Sequence, residues 1–320
     1  MKLATCSTGT KSFVGAVVDD RMVVDLGSAD KRLARKERRS SHPFLADMME
    51  LLSSGRKGQS AANKALNATL AEARKNPDDE ITYQLSRIRL RAPLIPRKLL
   101  CLSGNYQDHI EEGGGKMEVQ DKETPRFFMK PATTTVIGPG DRILIPPVAT
   151  AIDWEGELAV VIGRQAKQVS TSEALRYVAG YTVMNDVSER KLKIKNRSED
   201  RDEDVWFDWL NGKWLDTFAP LGPWIVTSDE IPDPQSLEIS TYVNGDRKQH
   251  NSTAQMLVPV ADLIEYISAI VTLEPGDIIS TGTVSGVGNT TGEYLQPGDK
   301  VEVKISQIGA LHNRVASSKK

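Results

Sequence analysis

The stretch DWEGELAVVIG, residues 153–163, indicates a buried β-strand that begins among acidic side chains. Because residues two apart on a strand face the same side, we expect Glu155 and Glu157 to point together, about 7 Å apart at Cα. Ala159 and Val161 continue that face as apolar residues. Two carboxylates on such a face repel each other and lose hydration, and a bound cation would relieve both costs. A solvated edge strand with two surface glutamates is the alternative interpretation.

Length and composition are those of a soluble globular protein. The chain has 320 residues, a length typical of two domains, with 39% apolar and 26% charged residues and a net charge of −2. This composition argues against disorder, and the balanced charge favours neither a nucleic-acid partner nor a membrane surface. The two cysteines, Cys6 and Cys101, are too few for a disulfide framework and suit a reducing cytosol. No apolar run approaches the roughly 20 residues of a membrane span, so we expect a cytoplasmic protein.

The segment 1–95 is expected to form a small α/β N-terminal domain. It begins with two strand-like pieces, and two helical segments follow, FLADMMELLSSG and SAANKALNATLAEARKN. In the first segment apolar residues recur at helical spacing, and Gly55 is expected to end the helix. In the second segment Ser60 is a plausible N-cap. Pro93 and Pro96 then indicate a linker that leads into the next domain.

Residues 96–320 indicate a second, larger domain in which strands predominate. Short strand-like segments alternate with Pro-Gly and Asn-Gly turns, and Asn244-Gly245 is a strong β-hairpin signal. One helix interrupts the strands, with Pro259 at its first position. Its apolar stripe, expected to face the core, consists of Val260, Leu263, Ile264, Ile267 and Ile270. The expected fold class is therefore α+β, mostly β, and not an alternating parallel βα sheet.

A third carboxylate and a histidine pair are further candidates for a functional site. Asp186 follows a predicted buried strand and could complete a three-carboxylate site with Glu155 and Glu157, although an Asx turn explains it equally well. Oxygen-only ligands select Mg²⁺, Mn²⁺ or Ca²⁺ over zinc. His109 and Glu112 are three residues apart, which places them on one helix face and suits a general base. A surface ion pair is the alternative for this pair.

Six motifs in a fixed order resemble those of the fumarylacetoacetate hydrolase family: GNYQDHIEE, FFMKP, DWEGELAVVIGR, GYTVMNDVSER, LDTFAPLGPWIV and LEPGDIISTGTVSGVG. The resemblance covers about residues 97–316, and the upstream segment looks like the N-terminal domain of the longer family members. It implies a catalytic domain folded as a mixed β-sandwich roll, a divalent metal that is commonly Mg²⁺ or Mn²⁺, and a homodimer. Family members act on 2-oxo acids and 1,3-dicarbonyl compounds.

The matching motif positions imply a role for each candidate residue. By this resemblance the metal ligands are Glu155, Glu157 and Asp186, the dyad that activates water is His109 and Glu112, the active-site lysine is Lys130, and the substrate-binding residues are Arg190, Lys213 and Thr283. The expected function is metal-dependent hydrolysis of a C–C bond in a 2-oxo acid such as fumarylpyruvate, maleylpyruvate or fumarylacetoacetate, in aromatic-compound catabolism. Isomerisation, decarboxylation or dehydration on the same site is the enzymatic alternative, and a metal-binding scaffold is the non-enzymatic one.

Three positions depart from the family pattern, namely Glu189, Lys193 and Val284, and all fall where substrate recognition is expected. Residues 191–209 form a long charged stretch with two tryptophans near its end. We expect this stretch to be either a mobile lid that orders over bound substrate or an exposed loop anchored by core tryptophans. Asp153 is assigned to a turn or an ion pair.

Overall fold

The architecture is that of a computed structural model, which describes residues 1–9, 11–73, 80–116, 118 and 124–318. Strands make up most of its regular structure. In chain order they are β1 Lys2–Thr8, β2 Lys11–Val18, β3 Met22–Asp25, β4 Thr82–Gln84, β5 Arg89–Leu90, β6 Leu99–Ser103, β7 Arg126–Lys130, β8 Val136–Ile137, β9 Arg142–Ile145, β10 Ile152–Asp153, β11 Gly156–Ile162, β12 Val178–Asn185, β13 Ser188–Glu189, β14 Ala219–Thr227, β15 Glu238–Val243, β16 Asp246–Ser252, β17 Ile278–Thr283, β18 Lys300–Ile305 and β19 Gly309–Ser317.

The helices of the described residues are mostly short. They are α1 Leu26–Glu37, α2 Met48–Ser53, α3 Gly55–Ala73, α4 Gln107–Glu112, α5 Ala132–Thr135, α6 Thr171–Ala174, α7 Asp202–Gly212, α8 Val260–Ile270 and α9 Gly288–Thr291. Single 3₁₀ turns cover Pro43–Ala46, Leu85–Arg87, Leu175–Tyr177 and Thr253–Gln255. Within this part of the chain, no helix is long and apolar enough to span a membrane.

Twelve strands form one large sheet that runs through the whole molecule. Its hydrogen-bonded path is β4-β3-β2-β1-β14-β12-β11-β17-β6-β7, and β5 and β8 pair with β1 and β14 off this path. The N-terminal strands join the others through β1 and β14, where Leu3 lies opposite Ile225. The sheet is therefore continuous across the boundary predicted at residue 95, and the division of the chain into two domains stays a prediction.

A second sheet, of five strands in the order β16-β15-β18-β19-β9, packs on the large one. The largest core cluster contains Leu158 from β11 together with Ile239 from β15 and Val303 from β18, so the two sheets bury their facing side chains in a shared core. The hairpin predicted between β15 and β16 is confirmed, because Asn244 and Gly245 both have positive φ, as a two-residue turn requires. This layered arrangement confirms the predicted mostly-β fold class.

Strand β11 lies inside the large sheet and positions the candidate site. All seven of its residues are buried, and it pairs antiparallel with β12 on one side and β17 on the other, so the edge-strand interpretation is wrong. Gly156 lies opposite Asn185, and Glu157 lies opposite Thr283. A Cβ at Gly156 would be only 2.2 Å from the Thr241 Oγ1 atom of the second sheet. Glycine at this position therefore lets the two sheets approach closely where the site begins.

Three predicted helix boundaries differ from the structure. Helix α3 begins at Gly55, so Ser60 lies inside the helix and is not its N-cap. The apolar segment before it divides into a 3₁₀ turn and α2, because Asp47 accepts a backbone hydrogen bond at 3.0 Å and caps α2 separately. Pro259 is the N-cap of α8 and precedes its first helical residue. Residues 74–76 of the second helix prediction lie outside the described residues.

Candidate metal and substrate site

The three predicted carboxylates come together at one end of β11. Glu155 immediately precedes the strand, Glu157 lies on it, Asp186 follows β12, and all three are buried. One carboxylate oxygen from each lies within 4.8 Å of the other two. The pairing of β11 with β12 causes this approach, and it extends past the strand ends, where Asp186 N donates to the Glu155 carbonyl at 2.9 Å. Three converging carboxylate oxygens are a donor set for a hard divalent cation.

Glu157 has one carboxylate oxygen that nothing in the described residues satisfies. Its Oε2 accepts hydrogen bonds from Ser280 Oγ at 2.6 Å and Gly282 N at 3.0 Å, whereas its buried Oε1 has no partner there. Burial, together with the negative charges of Asp186 and Glu155, raises the pKa of Glu157 well above its ordinary value. A bound cation would satisfy the unpaired oxygen and offset the repulsion, so the residues present fit a divalent metal.

Two buried lysines contact the carboxylate cluster. Lys213 Nζ donates to Glu155 Oε2 at 2.7 Å and to Asp186 Oδ2 at 2.8 Å. Lys130 Nζ donates to Asp186 Oδ1 and to the Val187 carbonyl, the latter at 3.0 Å. Burial acts to lower the pKa of Lys213, but the carboxylates of Asp186 and Glu155 outweigh it and raise the pKa above its ordinary value. Lys213 is therefore charged in the folded protein.

A partly buried arginine, with its side chain 11% exposed, completes the ring of cations. Arg190 Nε donates to Asp153 Oδ2 at 2.8 Å, and its Nη2 donates to Glu155 Oε1. This contact confirms the assignment of Asp153 to an ion pair. Arg190, Lys130 and Lys213 together face four carboxylates, so a bound divalent ion would leave the site with a net positive charge when all four are ionised. Such a site suits an anionic substrate.

The predicted histidine dyad is held in place by a neighbouring turn. His109 Nδ1 and Glu112 Oε1, both on α4, are 2.7 Å apart. Glu112 Oε2 also accepts hydrogen bonds from Gly286 N at 2.7 Å and Thr290 Oγ1 at 3.3 Å, so the protein fixes this carboxylate, unlike that of a solvated surface pair. A carboxylate on Nδ1 selects the tautomer that leaves Nε2 free to accept a proton. In the described residues Nε2 has no hydrogen-bond partner.

An open cavity of about 310 Å³ lies beside the histidine of the dyad. His109, Arg190 and Thr290 are among its lining residues. Burial acts to raise the pKa of Glu155, but the charges of Lys213, Arg190 and His109 outweigh it and lower the pKa below its ordinary value. His109 is therefore close enough to act electrostatically on Glu155, and a substrate in the cavity would contact His109 and Arg190, the latter paired with Glu155.

Sequence reasoning missed the residue that fixes α4 in place. Asp108 Oδ2 accepts hydrogen bonds from Ser285 Oγ at 2.7 Å and from Asn251 Nδ2 at 2.6 Å, and its Oδ1 accepts one from His109 N at 2.8 Å. These contacts join the short helix to the turn after β17 and to β16. The only signal in the sequence is an acidic residue directly before the histidine.

The substrate-binding assignments stay predictions. Thr283 Oγ1 donates to the Gly156 carbonyl at 3.0 Å and accepts from Gln249 Nε2 at 2.8 Å, so its hydroxyl is engaged within the protein. Arg190 and Lys213 bind the carboxylates rather than lying free in the cavity. A substrate contact from either cation would require its ion pairs to rearrange.

Two of the three residues that depart from the family pattern, Glu189 and Val284, have structural roles in this chain. Glu189 Oε2 accepts hydrogen bonds from the backbone N–H groups of Thr150 and Ala151 at 2.7 and 2.8 Å. Val284 is fully buried in the largest core cluster. Both side chains are therefore used to hold the fold around the site. The third departure, Lys193, forms an ion pair with Asp200 at 2.9 Å.

The charged stretch 191–209 is irregular at first and then enters α7. Trp209 packs edge-on against Phe128, with ring centroids 5.2 Å apart, and belongs to the partly buried shell of a core cluster. Trp206 and Phe207 instead remain about half exposed, at 53% and 54%. One of the two tryptophans in this stretch therefore anchors it to the core, and the lid stays a prediction.

The layered β-fold surrounds a buried carboxylate cluster, which is the kind of donor set that holds a divalent cation in metal-dependent enzymes. Residues 98–316 match the family described as fumarylacetoacetate (FAA) hydrolase, C-terminal. The chain belongs to this family.

Individual relatives carry different activities. The chain is 36% identical over 324 residues to the oxaloacetate tautomerase YisK of Bacillus subtilis (strain 168), with 98% of this chain and 100% of that protein covered. The structure resembles that of 5-carboxymethyl-2-hydroxymuconate delta-isomerase from Mycobacterium smegmatis, with a TM-score of 0.70, 30% identity and complete coverage of both chains. It also resembles maleylpyruvate hydrolase from Sphingobium sp. SYK-6 in complex with manganese(II) ion and pyruvate, with a TM-score of 0.74, 25% identity and complete coverage of both chains.

Proposed function

We propose that the protein is a divalent-metal-dependent tautomerase that interconverts the enol and keto forms of a 2-oxo dicarboxylic acid of the oxaloacetate type. The observation that carries this proposal is the placement of His109, held by Glu112, in one cavity with Arg190 beside the carboxylate cluster. The relative YisK, which spans nearly the whole chain, is named an oxaloacetate tautomerase. Tautomerisation is an isomerisation, and it takes the place of C–C hydrolysis as the first hypothesis.

Tautomerisation needs a proton carrier and a way to stabilise an enolate. When the enol becomes the keto form, a proton leaves the oxygen on C2 and a proton joins C3, so no water is consumed and no C–C bond breaks. A divalent ion held by Glu155, Glu157 and Asp186 would supply Lewis-acid polarisation of the C2 oxygen. His109 accepts a proton at Nε2 and returns one to C3, while Glu112 holds the ring in the required tautomer.

The buried cations provide charge for the anionic substrate. Lys130 and Lys213 are buried beside Asp186, where low local polarity strengthens their interaction with negative charge that develops on the C2 oxygen. Arg190 lines the cavity and has the planar donor geometry that binds a carboxylate. A substrate with two carboxylates would match this excess of cationic groups better than a monocarboxylate.

Hydrolysis of an acylpyruvate is the second candidate, and the same dyad favours it. A histidine held by a glutamate can take a proton from water as readily as from an enol, and the maleylpyruvate hydrolase of Sphingobium sp. SYK-6 has a similar structure. Hydrolysis would add water to the distal carbonyl and release pyruvate. Decarboxylation would release CO₂ and dehydration would release water, so the products distinguish the reactions.

A product-resolved assay tests the proposal. Protein loaded with Mg²⁺ or Mn²⁺ is mixed with the enol form of oxaloacetate and, separately, with fumarylpyruvate and maleylpyruvate, and proton NMR follows every species. We expect rapid loss of the enol signal with stoichiometric keto oxaloacetate. The metal-stripped protein and the Glu157→Gln variant serve as controls for tautomerisation by buffer. A higher kcat/KM for pyruvate release from an acylpyruvate would reject tautomerisation in favour of hydrolysis.

The oligomeric state is part of the proposal. The family resemblance implies a homodimer, and the experiment that tests it is sedimentation equilibrium of the metal-loaded protein over a wide range of concentrations. A dimer mass that persists at the concentrations used for the assay supports it. A monomer mass throughout would reject it.

A further inference from the structure

We propose that a second cavity, far from the carboxylate cluster, binds a small monocarboxylate with a compact apolar body, such as a single aromatic ring. This cavity, named here the seam cavity, lies between the helices α2 and α3 and the end of the large sheet. Its volume is about 210 Å³. The lining residues used below are Leu3, Leu51, Leu52, Ala62, Val178, Arg56, Arg164 and Arg176.

The seam cavity is separate from the site described above. Gly163, which lines it, follows the last residue of β11, whereas Glu157 is near the first residue of that strand. Six residues of extended strand place the two about 20 Å apart. A ligand in the seam cavity therefore has no direct contact with the carboxylates, and binding at the two sites can be measured independently.

The floor of the seam cavity is apolar and is formed by residues from the segment 1–95 and from strand β12. Leu51 and Leu52 of α2, Ala62 of α3, Leu3 of β1 and Val178 of β12 are all buried. An apolar cavity of about 150 Å³ is large enough to hold benzene. A volume of about 210 Å³ therefore holds a ring together with a short polar arm.

Polar groups at the floor are already satisfied by the protein. Thr227 Oγ1 accepts a hydrogen bond at 2.6 Å from the N-terminal ammonium of Met1, which also pairs with Glu230 at 2.9 Å, and Ser228 Oγ donates to the Val178 carbonyl at 3.1 Å. A ligand body that enters this part of the cavity gains apolar contact and has little opportunity for new hydrogen bonds. The floor consequently selects for shape and apolar surface.

The rim of the seam cavity is cationic. Arg56, Arg164 and Arg176 all line it. Arg176 is paired with Glu173 at 2.6 Å, and Arg164 lies over the Tyr177 ring, 5.6 Å from its centroid. Among the residues that the structure describes, neither Arg56 nor Arg164 has a carboxylate partner. Two unpaired guanidinium groups above an apolar cavity match a ligand with an anionic head and an apolar body, and a carboxylate suits guanidinium geometry.

Calorimetry with benzoate tests the proposal in the full-length protein, which is stripped of metal and kept in chelator so that the carboxylate cluster cannot hold the probe through an ion. We expect saturable binding of benzoate and a matching rise in the unfolding temperature. Toluene has the apolar ring without the charge, and acetate has the carboxylate without the ring. Each should bind at least tenfold more weakly than benzoate. Absence of saturable benzoate binding, or equal binding of acetate, would overturn the proposal.

Variants locate the binding site. Arg56→Gln should weaken benzoate binding about tenfold through loss of one charge-assisted contact, and Ala62→Leu should abolish it by filling the cavity. Arg247→Gln, an exposed arginine on β16, is the matched charge control and should bind normally. Glu157→Gln alters the carboxylate cluster and should also bind normally. Loss of binding in Glu157→Gln with retention in Arg56→Gln would place benzoate in the other site and reject the seam cavity.

Discussion

Lys213 Nζ lies 2.7 Å from Glu155 Oε2, so an ammonium group already occupies one face of a carboxylate that we assign to the metal. It also donates to Asp186, and it lies next to the packed Phe128 and Trp209 rings, with centroids 5.4 and 5.6 Å away. A divalent ion entering the cluster must therefore bind against the field of this cation. We therefore expect Lys213 to lower the affinity of the protein for metal in the absence of substrate.

We predict that Lys213→Met tightens Mn²⁺ binding by at least tenfold. Two unit charges about 4 Å apart interact by about 4 kcal/mol at an effective dielectric constant of 20. Loss of part of such a repulsion between Lys213 and the metal ion is therefore enough for tenfold tighter binding. Calorimetry with Mn²⁺ measures the effect without reference to activity. Lys304→Met, at an exposed position on β18, is the matched control and should leave the affinity unchanged. Weaker Mn²⁺ binding by Lys213→Met would show that the lysine supports the metal site.

A second prediction contrasts two glutamates of the cluster. Glu157→Gln should leave the metal-free protein as stable as the wild type or more stable, because glutamine keeps an acceptor for Ser280 and removes a charge that repels Asp186. Glu155→Gln should destabilise the metal-free protein, because it weakens the ion pairs to the buried Lys213 and the partly buried Arg190. Thermal unfolding with and without Mn²⁺ measures both.

In each of these two variants the rise in unfolding temperature that Mn²⁺ gives the wild-type protein should be lost or strongly reduced. The contrast between the variants is therefore confined to the metal-free state. Equal destabilisation of Glu155→Gln and Glu157→Gln without metal would contradict the unequal roles assigned to these carboxylates.

The third prediction concerns the dyad. His109→Gln should lower kcat by a factor on the order of 10² to 10⁴ while Mn²⁺ affinity stays the same, since a general acid–base residue contributes about this much. Glu112→Gln should cause a smaller loss, because the ring remains but its tautomer is less firmly fixed. Glu111→Gln, at an exposed position on the same helix, is the matched control. Wild-type kcat in His109→Gln would remove the histidine from the mechanism.

The carboxylate cluster could be predicted from local sequence for physical reasons. Strand periodicity places Glu155 and Glu157 on one face, and a polar residue at a strand end places Asp186 at the same edge once the two strands pair. The i, i+3 spacing likewise brings His109 and Glu112 together without any information on tertiary structure.

The remaining features of the site depend on contacts between residues distant in sequence. Lys213 meets Glu155 across 58 positions, and Asp108 meets Asn251 across 143. Neither pairing follows from a local pattern, because each depends on how the sheets pack and on where α4 and α7 dock. The pairing of β1 with β14 cannot be predicted for the same reason, because the local sequence of each strand indicates a strand but does not specify its partner.

The fourth prediction tests the anchoring of α4 by Asp108. Asp108→Ala removes the acceptor for Ser285 and Asn251, so the six-residue helix should open more often. Hydrogen exchange of residues 107–112 should become faster and kcat should fall, with Mn²⁺ affinity unchanged. The control is Asp246→Ala, at an exposed position on β16. Unaltered exchange in Asp108→Ala would mean that α4 is held by Glu112 alone.

The fifth prediction concerns a buried thiol and alkaline stability. Burial, with a smaller contribution from the charge of Asp25, raises the pKa of Cys6 from 9.0 to about 12. The folded thiol therefore stays protonated while the unfolded thiol ionises, so stability is lost as the pH rises above about 9. Between pH 7 and pH 10 the unfolding free energy of the wild type should fall by about 1.4 kcal/mol more than that of Cys6→Ala. Urea unfolding of both proteins at the two pH values measures this difference, and comparison of the two proteins cancels the titration of lysines and tyrosines that they share. A difference in unfolding free energy that does not change between pH 7 and pH 10 would show that Cys6 ionises equally in both states.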